Sequence, residues 1–189
     1  MTLLETYIPV FQFREFHELL VQAAPADLLD AVSLPGIMED PWVKGFIRLR
    51  ELPGRLLSAL GRSSLLRDKQ AFGLDNFTRL GRVADRELAF GLVGRFWRFD
   101  YGLVALADAQ EFERFSSIGV PKLALNFSVV RSDAGRTWLR TETRVFCNDR
   151  ASRMRFFPYW CLIRPVSGLM RRRLLRRIAA RAAAANAIR

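Results

Sequence analysis

The chain has 189 residues, of which half are apolar, and it carries a net charge of +11. This length is typical of one domain with a sizeable core, and the apolar fraction excludes a disordered polar chain. Two cysteines, Cys147 and Cys161, are too few for a disulfide scaffold or a cysteine-rich zinc module. We therefore expect two reduced thiols, as in a cytosolic protein.

The positive charge is confined to one end of the chain. Residues 1–149 carry nineteen bases and nineteen acids, whereas residues 150–189 carry eleven arginines and no acid. The N-terminus has no basic start before an apolar run, so it does not predict a secretory signal. The longest apolar run, from about Phe156 to Ile163, is too short for the ~20 residues of a membrane span. We expect a cytoplasmic protein that is soluble or bound peripherally at the inner membrane face.

The first elements are a strand and short helices. Residues 15–23 alternate in polarity and predict a strand whose inward face includes His17 and Leu19. Pro25 begins a short helix that ends before Pro35-Gly36, and a second short helix is predicted from Asp40-Pro41. Residues 50–70 give only a weak helical pattern.

From residue 71 onward the pattern predicts strands, many of them separated by turn-forming residues. Asp133-Ala-Gly135 lies between two long alternating runs and predicts a hairpin. Gly91 and Gly94 fall inside a predicted strand, where glycine leaves room for a packed neighbour or a ligand, or marks a bulge. The predicted strands are Ala71–Leu80, Glu87–Phe99, Leu103–Ala107, Glu111–Phe115, Lys122–Arg131 and Thr137–Cys147.

The last forty residues predict helix. Ser152 is placed to cap its start. Pro158 and Pro165 predict a kink or a break, with Pro165 opening a second helical segment. An apolar stripe follows in that segment, and Arg171 falls within its arc. The stripe consists of Met170, Leu174, Leu175, Ile178 and Ala182.

In the stretch from Glu15 through Ala-Ala-Pro25 to Ala31, a predicted strand runs through an Ala-Pro step into a helix. This opening resembles that of the START-like, or SRPBCC, superfamily, and the resemblance extends over roughly residues 12–180. Three later stretches, residues 90–97, 139–145 and 159–165, are similar to an uncharacterised branch of that superfamily.

The resemblance implies one α+β domain over residues 1–189 with a helix-grip fold. In that fold a curved antiparallel sheet, here of about six or seven strands, wraps a long C-terminal helix and leaves an apolar cavity. Two short helices follow the first strand, and residues 150–189 form the basic helical segment. Members of the superfamily bind lipids, sterols, polyketides or hormones, and some catalyse cyclisation or dehydration.

The candidate ligand contacts combine apolar and polar side chains. Inward aromatic residues would bury an apolar ligand, and a few polar groups would orient it. His17 is the only histidine, which excludes the usual multi-histidine metal sites, so we expect no metal and no cofactor. The candidates are His17, Phe90, Trp97, Phe127, Thr141, Thr143, Tyr159, Trp160 and Arg164.

Residues 139–145 alternate and leave two orientations open. If the apolar members face inward, Thr141 and Thr143 lie on a cavity wall. If the faces are reversed, Glu142 and Arg144 lie inside as a pair, because a buried charge needs a partner. Glu87 is the other carboxylate that could join such a pair.

The basic segment is consistent with three roles. It could be a solvated helix face, it could contact an anionic membrane, or it could bind nucleic acid. The neutral body offers no second basic strip, which disfavours nucleic acid. The arginines placed for anion contact are Arg171, Arg172, Arg173, Arg176 and Arg177.

The sequence lacks a complete catalytic set, so the leading prediction is a protein that binds a hydrophobic or amphipathic small molecule. The second hypothesis is a cyclase or dehydratase in which His17 or a cavity carboxylate acts as acid and base. The third is an interaction module built on the arginine-rich helix. The sequence does not indicate an oligomeric state.

Overall fold

A computed structural model describes residues 1–34, 76–98, 100–132 and 135–187. Over these residues the chain is an α+β protein with one six-stranded antiparallel sheet and a long C-terminal helix, which confirms the predicted class. The helices predicted within residues 35–70, and residues 71–75 of the next strand, lie outside the described part. The helices are α1 (Leu3–Tyr7), α2 (Pro25–Ser33), α3 (Ala109–Arg114) and α4 (Arg150–Ala187). The strands are β1 (Phe13–Val21), β2 (Thr78–Val83), β3 (Glu87–Gly94), β4 (Leu103–Val104), β5 (Lys122–Arg131) and β6 (Thr137–Phe146).

The sheet is open, with the strand order β1-β6-β5-β3-β2, and the short β4 pairs with the end of β3. β5 and β6 form the predicted hairpin. β1 pairs with β6 along its whole length, so that His17 lies opposite Thr141 and Leu19 opposite Leu139. Of the strands that the structure describes, the first therefore pairs with the last.

Helices cover both faces of the sheet. On one side, called the α4 face, α2 and α4 pack on alternate residues of the strands, such as Leu88, Leu125 and Leu139. On the other side, called the α1 face, α1 and α3 pack on the residues between them, including Ala89 and Ala124. Because successive strand residues point to opposite faces, β3 and β5 contribute apolar side chains to both layers.

Gly91 permits close packing on the α1 face. A Cβ atom at this position would lie 2.6 Å from Cδ2 of Phe112 and 2.9 Å from Cδ2 of Leu80. Phe112 is fully buried. Of the alternatives at Gly91, room for a packed neighbour is therefore confirmed.

The prediction of a strand at Glu111–Phe115 is wrong, because these residues belong mainly to α3. Asp108 caps this helix by accepting a hydrogen bond from the Glu111 backbone N–H at 2.8 Å. The Glu111 carboxylate in turn accepts one from the Ala107 N–H at 2.6 Å. This reciprocal capping stabilises a helical turn over the local alternation of apolar residues.

α4 runs without a break from Arg150 to Ala187, so the second segment predicted at Pro165 is wrong. A proline inside a helix frees the carbonyl four residues earlier. Pro158 and Pro165 are both exposed, as are Met154 and Cys161, so water can reach the freed carbonyls. Aromatic and aliphatic side chains before and after the prolines anchor one continuous helix on the sheet.

The cap of α4 is Asp149, not the predicted Ser152. The Asp149 carboxylate accepts hydrogen bonds from the backbone N–H of Ser152 at 2.8 Å and of Gly119 at 2.7 Å. The Ser152 hydroxyl donates to the same carboxylate at 2.7 Å. These bonds hold the start of α4 against the loop that precedes β5.

Replacing Gly91 with Ala should destabilise the protein by about 1–3 kcal/mol, because the new Cβ has no room beside the Phe112 ring. Urea unfolding of the variant would measure this loss. Adding Phe112→Leu should reduce the cost of Gly91→Ala, since it shortens the obstructing side chain. Strictly additive effects in the double variant would contradict the contact.

Candidate functional site

Polar side chains interrupt the apolar α4 face on two neighbouring strands. Glu15 and His17 of β1 lie opposite Thr143 and Thr141 of β6, respectively. Apolar pairs flank this group on both sides: Phe13 with Val145, and Leu19 with Leu139. Glu15, Thr141 and Thr143 are buried and His17 is partly buried.

α4 adds two polar side chains to the group. The Ser167 hydroxyl donates to Oε2 of Glu15 at 2.8 Å, and Nη1 of Arg171 donates to Oγ1 of Thr141 at 3.1 Å. Gly168 permits the approach, because a Cβ there would lie 3.3 Å from Oε1 of Glu15 and 3.4 Å from the His17 ring. We call Glu15, His17, Thr141, Thr143, Ser167 and Arg171 the polar cluster.

Opposite charges meet in this cluster. Nε2 of His17 lies 2.9 Å from Oε1 of Glu15. Burial lowers the pKa of Arg171, and the attraction of the Glu15 carboxylate opposes that shift. The guanidinium remains charged, because an arginine does not lose its proton in proteins. Thr141 accepts from Arg171 and donates to the Asn126 carbonyl at 2.9 Å, which fixes its hydroxyl.

Two buried apolar clusters lie on the α4 face beyond these residues. One surrounds Phe156 and Trp160 in the first half of α4, and the other surrounds Leu175 and Ile178 in the second half. Phe77 and Leu123 pack against both clusters, yet both remain partly exposed, as does Phe90. The middle of the face thus has apolar surface that the described core does not fully cover.

A groove lies at the open edge of β1, with a volume of about 360 Å³. His17 and Leu19 line it from the strand, and Leu175 and Arg176 line it from α4. His17 therefore belongs both to the polar cluster and to a surface opening.

The predicted ligand contacts fall into three groups. His17, Thr141 and Thr143 meet in the polar cluster, and the inward orientation of the two threonines is the one observed. Phe127 and Trp160 are buried in the core, while Phe90, Trp97 and Tyr159 are partly buried on the same face. Arg164 is exposed and is not part of the polar cluster.

The alternative polar set does not lie in a cavity beneath α4. Glu142 and Arg144 are on the α1 face, where Nε of Arg144 lies 2.8 Å from the Glu142 carboxylate and Arg14 binds the same group. Burial tends to raise the pKa of Glu142, but hydrogen bonds from Arg14 and Arg144 outweigh it and lower the pKa. The strand period sets this outcome, because Leu139 and Val145 are the residues that meet the core.

Glu87 has a structural position on the same α1 face. Its carboxylate accepts hydrogen bonds from the Leu3 backbone N–H at 2.8 Å and from the Asn126 side chain at 2.6 Å. A carboxylate at the N-terminus of a helix is favourable, so Glu87 ties α1 to the sheet.

The basic residues of α4 divide between its two sides. Arg172 and Arg176 are exposed, and Arg173 and Arg177 are partly buried. Arg171, which the sequence groups with them for anion contact, instead reaches Thr141. Its position within the apolar arc of the helix accounts for this inward direction.

Sequence reasoning missed Glu15 and Ser167. Glu15 had a signal, since it lies two residues before His17 on the same strand and so shares its face. Ser167 had none, because the sequence does not give the rotation of α4 over β1.

The comparisons with known proteins give no relative. The sequence matches no protein-family model, and no curated protein and no solved structure is significantly similar to it. Among the described residues, no group of three or more His, Cys, Asp or Glu side chains could hold a metal ion. Within the same ranges, no helix is both long and apolar enough to cross a membrane.

Replacing Gly168 with Leu should destabilise the protein by about 1–3 kcal/mol, because the side chain would separate α4 from Glu15 and His17. Gly168→Ala should be nearly neutral, since a small shift of the neighbours offsets the gain in helix propensity. Thermal and urea unfolding would measure both. Leu169→Ala, at the exposed neighbouring position, is the control, and an equal loss there would contradict the close approach.

Proposed function

We propose that the protein binds a hydrophobic or amphipathic small molecule between the sheet and α4. The observation that carries this proposal is the polar cluster, set into an otherwise apolar helix–sheet interface. Burying Glu15 and partly burying Arg171 costs free energy, and apolar residues of similar volume would often stabilise such an interface as well or better. A role in orienting a ligand accounts for polar groups at this position.

The ligand would have an apolar body and a polar end. Its body would lie on the partly exposed surface of Phe77, Phe90 and Leu123. Its polar end, a hydroxyl or a carboxyl group, would bond with Arg171 and the neighbouring hydroxyls. An arginine offers five N–H donors, and Thr141 takes one of them. The groove beside His17 would connect this site with solvent.

The layout supports the same proposal. A six-stranded antiparallel sheet with a long C-terminal helix is compatible with the helix-grip fold of START-like proteins, to which the sequence has its resemblance. Members of that superfamily bind apolar molecules between the sheet and the helix. We infer that this chain has the helix-grip arrangement and binds its ligand in the same place, between the sheet and the helix.

The direct test combines native mass spectrometry with solvent extraction of the purified protein. We expect an apolar species bound in a one-to-one ratio, and saturable binding of a fluorescent long-chain fatty acid. A protein that carries no apolar species and does not bind the probe would overturn the proposal.

Arg171→Met should weaken binding of the fatty acid by about tenfold or more, because a hydrogen bond to a charged group contributes ~1.5–3 kcal/mol. Arg164→Met is the matched control, since Arg164 lies about two turns before Arg171 on the same helix and is exposed. Fluorescence titration would measure both affinities. Equal effects of the two substitutions would contradict a role for the polar cluster.

Leu123→Trp tests the position of the apolar body. The larger side chain would occupy the partly exposed middle of the α4 face and should abolish binding. Val130→Trp, at an exposed position of the same strand, should leave binding unchanged. Circular dichroism would check that both variants are folded.

The contact between Glu15 and His17 favours a second candidate, an enzyme of the cyclase or dehydratase kind. A histidine held by a carboxylate at 2.9 Å is suited to moving a proton to and from a bound molecule. The extracted compound would be incubated with protein and followed by mass spectrometry. An enzyme would convert it, and His17→Gln would slow the conversion by ~10²–10⁴ while retaining binding. Unchanged compound would exclude this candidate.

A further inference from the structure

α4 has a second apolar side, which faces away from the sheet. Over its first half, the exposed residues recur at helical spacing and form one stripe along the outer surface. Phe157, Leu162 and Leu169 are 59%, 77% and 57% exposed. We call this set the outer stripe; its members are Met154, Phe157, Pro158, Cys161, Leu162, Pro165 and Leu169.

The fold does not need the outer stripe. The inner side of α4 already meets the core through Phe156, Trp160, Leu175 and Ile178. Contiguous exposed apolar residues of this size are uncommon on soluble proteins and mark surfaces that contact something else. From Met154 to Leu169 the stripe extends about 22 Å along the helix, at 1.5 Å per residue.

Only positive charge accompanies the stripe on this helix. α4 contains no acidic residue. Exposed arginines lie beside the stripe at positions 150, 153, 155 and 164. Arg172 and Arg176 then continue the same outer surface into the second half of α4. The outer side of α4 is thus mainly apolar in the first half of the helix and basic in the second half.

We propose that this side of α4 docks on an anionic lipid bilayer. The outer stripe enters the boundary between headgroups and acyl chains, and the arginines bind lipid phosphates. An amphipathic helix with aromatic and aliphatic residues on one side and arginines around them binds membranes in this way. The inference concerns the outer side of α4 and does not depend on the ligand proposed for the inner side.

Two other occupants fit less well. Nucleic acid would satisfy the arginines, but it would leave Phe157, Leu162 and Leu169 without an apolar partner. A second copy of the chain would bring two sets of arginines together with no acid on either helix to pair with them, and like charges across an interface are unfavourable. A bilayer that contains anionic lipids provides both the apolar depth and the negative charge.

Cys161 provides a probe at the centre of the stripe. It is exposed, whereas Cys147 is buried, and burial raises the pKa of the Cys147 thiol to about 11. An NBD maleimide should therefore label Cys161 selectively at neutral pH, because the thiolate is the reactive form. With phosphatidylcholine vesicles that contain 30% phosphatidylglycerol, the NBD emission should shift to the blue. Brominated acyl chains should quench it, and pure phosphatidylcholine should give little change.

Flotation of the protein with the same vesicles tests whether residues of the outer stripe are needed for binding. Phe157→Ser with Leu162→Ser should reduce the fraction bound by about tenfold or more, because each side chain loses its transfer into the apolar boundary. The matched control is Val130→Ser, since Val130 is 44% exposed and its neighbour Val129, not Val130, faces α4 from β5. It should bind as the unaltered protein does. Raising the salt concentration should weaken binding, since the arginine contacts are electrostatic.

Three outcomes would overturn the inference. The first is an absence of binding to the anionic vesicles, and the second is binding that the double variant leaves unchanged. The third is a different occupant: a dimer that the same substitutions dissociate in light scattering, or a DNA duplex bound more tightly than the vesicles. An unchanged circular dichroism spectrum of the double variant would show that its fold is intact, so this test is separate from that of the ligand.

Discussion

The packing of α4 against β1 and β6 is the contact on which the rest of the structure depends. The helix completes two buried apolar clusters at once, one in each of its halves, and covers a sheet face that would otherwise be open. Gly168 sets the distance at the crossing point, because a Cβ there would already lie 3.3 Å from the Glu15 carboxylate and a side chain longer than that of alanine would force the helix away. The polar cluster exists only because the helix approaches so closely there.

This arrangement explains why a charged group can remain beneath α4. Arg171 lies in the apolar arc of its helix, where it is partly buried against the sheet. Thr141 gives it a hydrogen-bond acceptor, and Glu15 gives it a compensating charge. On the α1 face the charges are neutralised by ion pairs, since Arg14 and Arg144 both bind the Glu142 carboxylate. β6 therefore presents threonines and apolar residues on the α4 face, and paired charged residues on the α1 face.

Regular alternation made β5 and β6 predictable from the sequence, but it left open whether the threonines or Glu142 and Arg144 face inward, and the structure shows the threonines inside. The same rule would have placed Glu15 beside His17. Short elements and helix ends were harder to predict, because local capping determines them. Asp108 caps α3 and makes it a helix where the apolar pattern predicted a strand, and Asp149, not Ser152, caps the start of α4. The break predicted from Pro158 and Pro165 was wrong for a related reason. Their cost depends on whether the freed carbonyls face water, and the sequence does not show which side of α4 is exposed. Ser167 depends on the crossing of α4 over β1, a tertiary relation with no local signal. Arg171 had a local signal in its place within the apolar arc, but its partner Thr141 depends on the same crossing.

The pairing of β1 with β6 has a consequence for synthesis of the chain. Among the described strands, β1 has β6 as its neighbour, and Phe13 pairs with Val145. The helix that covers this pair comes later still, in the last part of the chain. On the ribosome, β1 therefore emerges long before the residues that shield it, and contacts of such high sequence separation form slowly. The apolar residues of β1 therefore stay unburied until β6 and α4 have been synthesised, and during that time they can contact other chains.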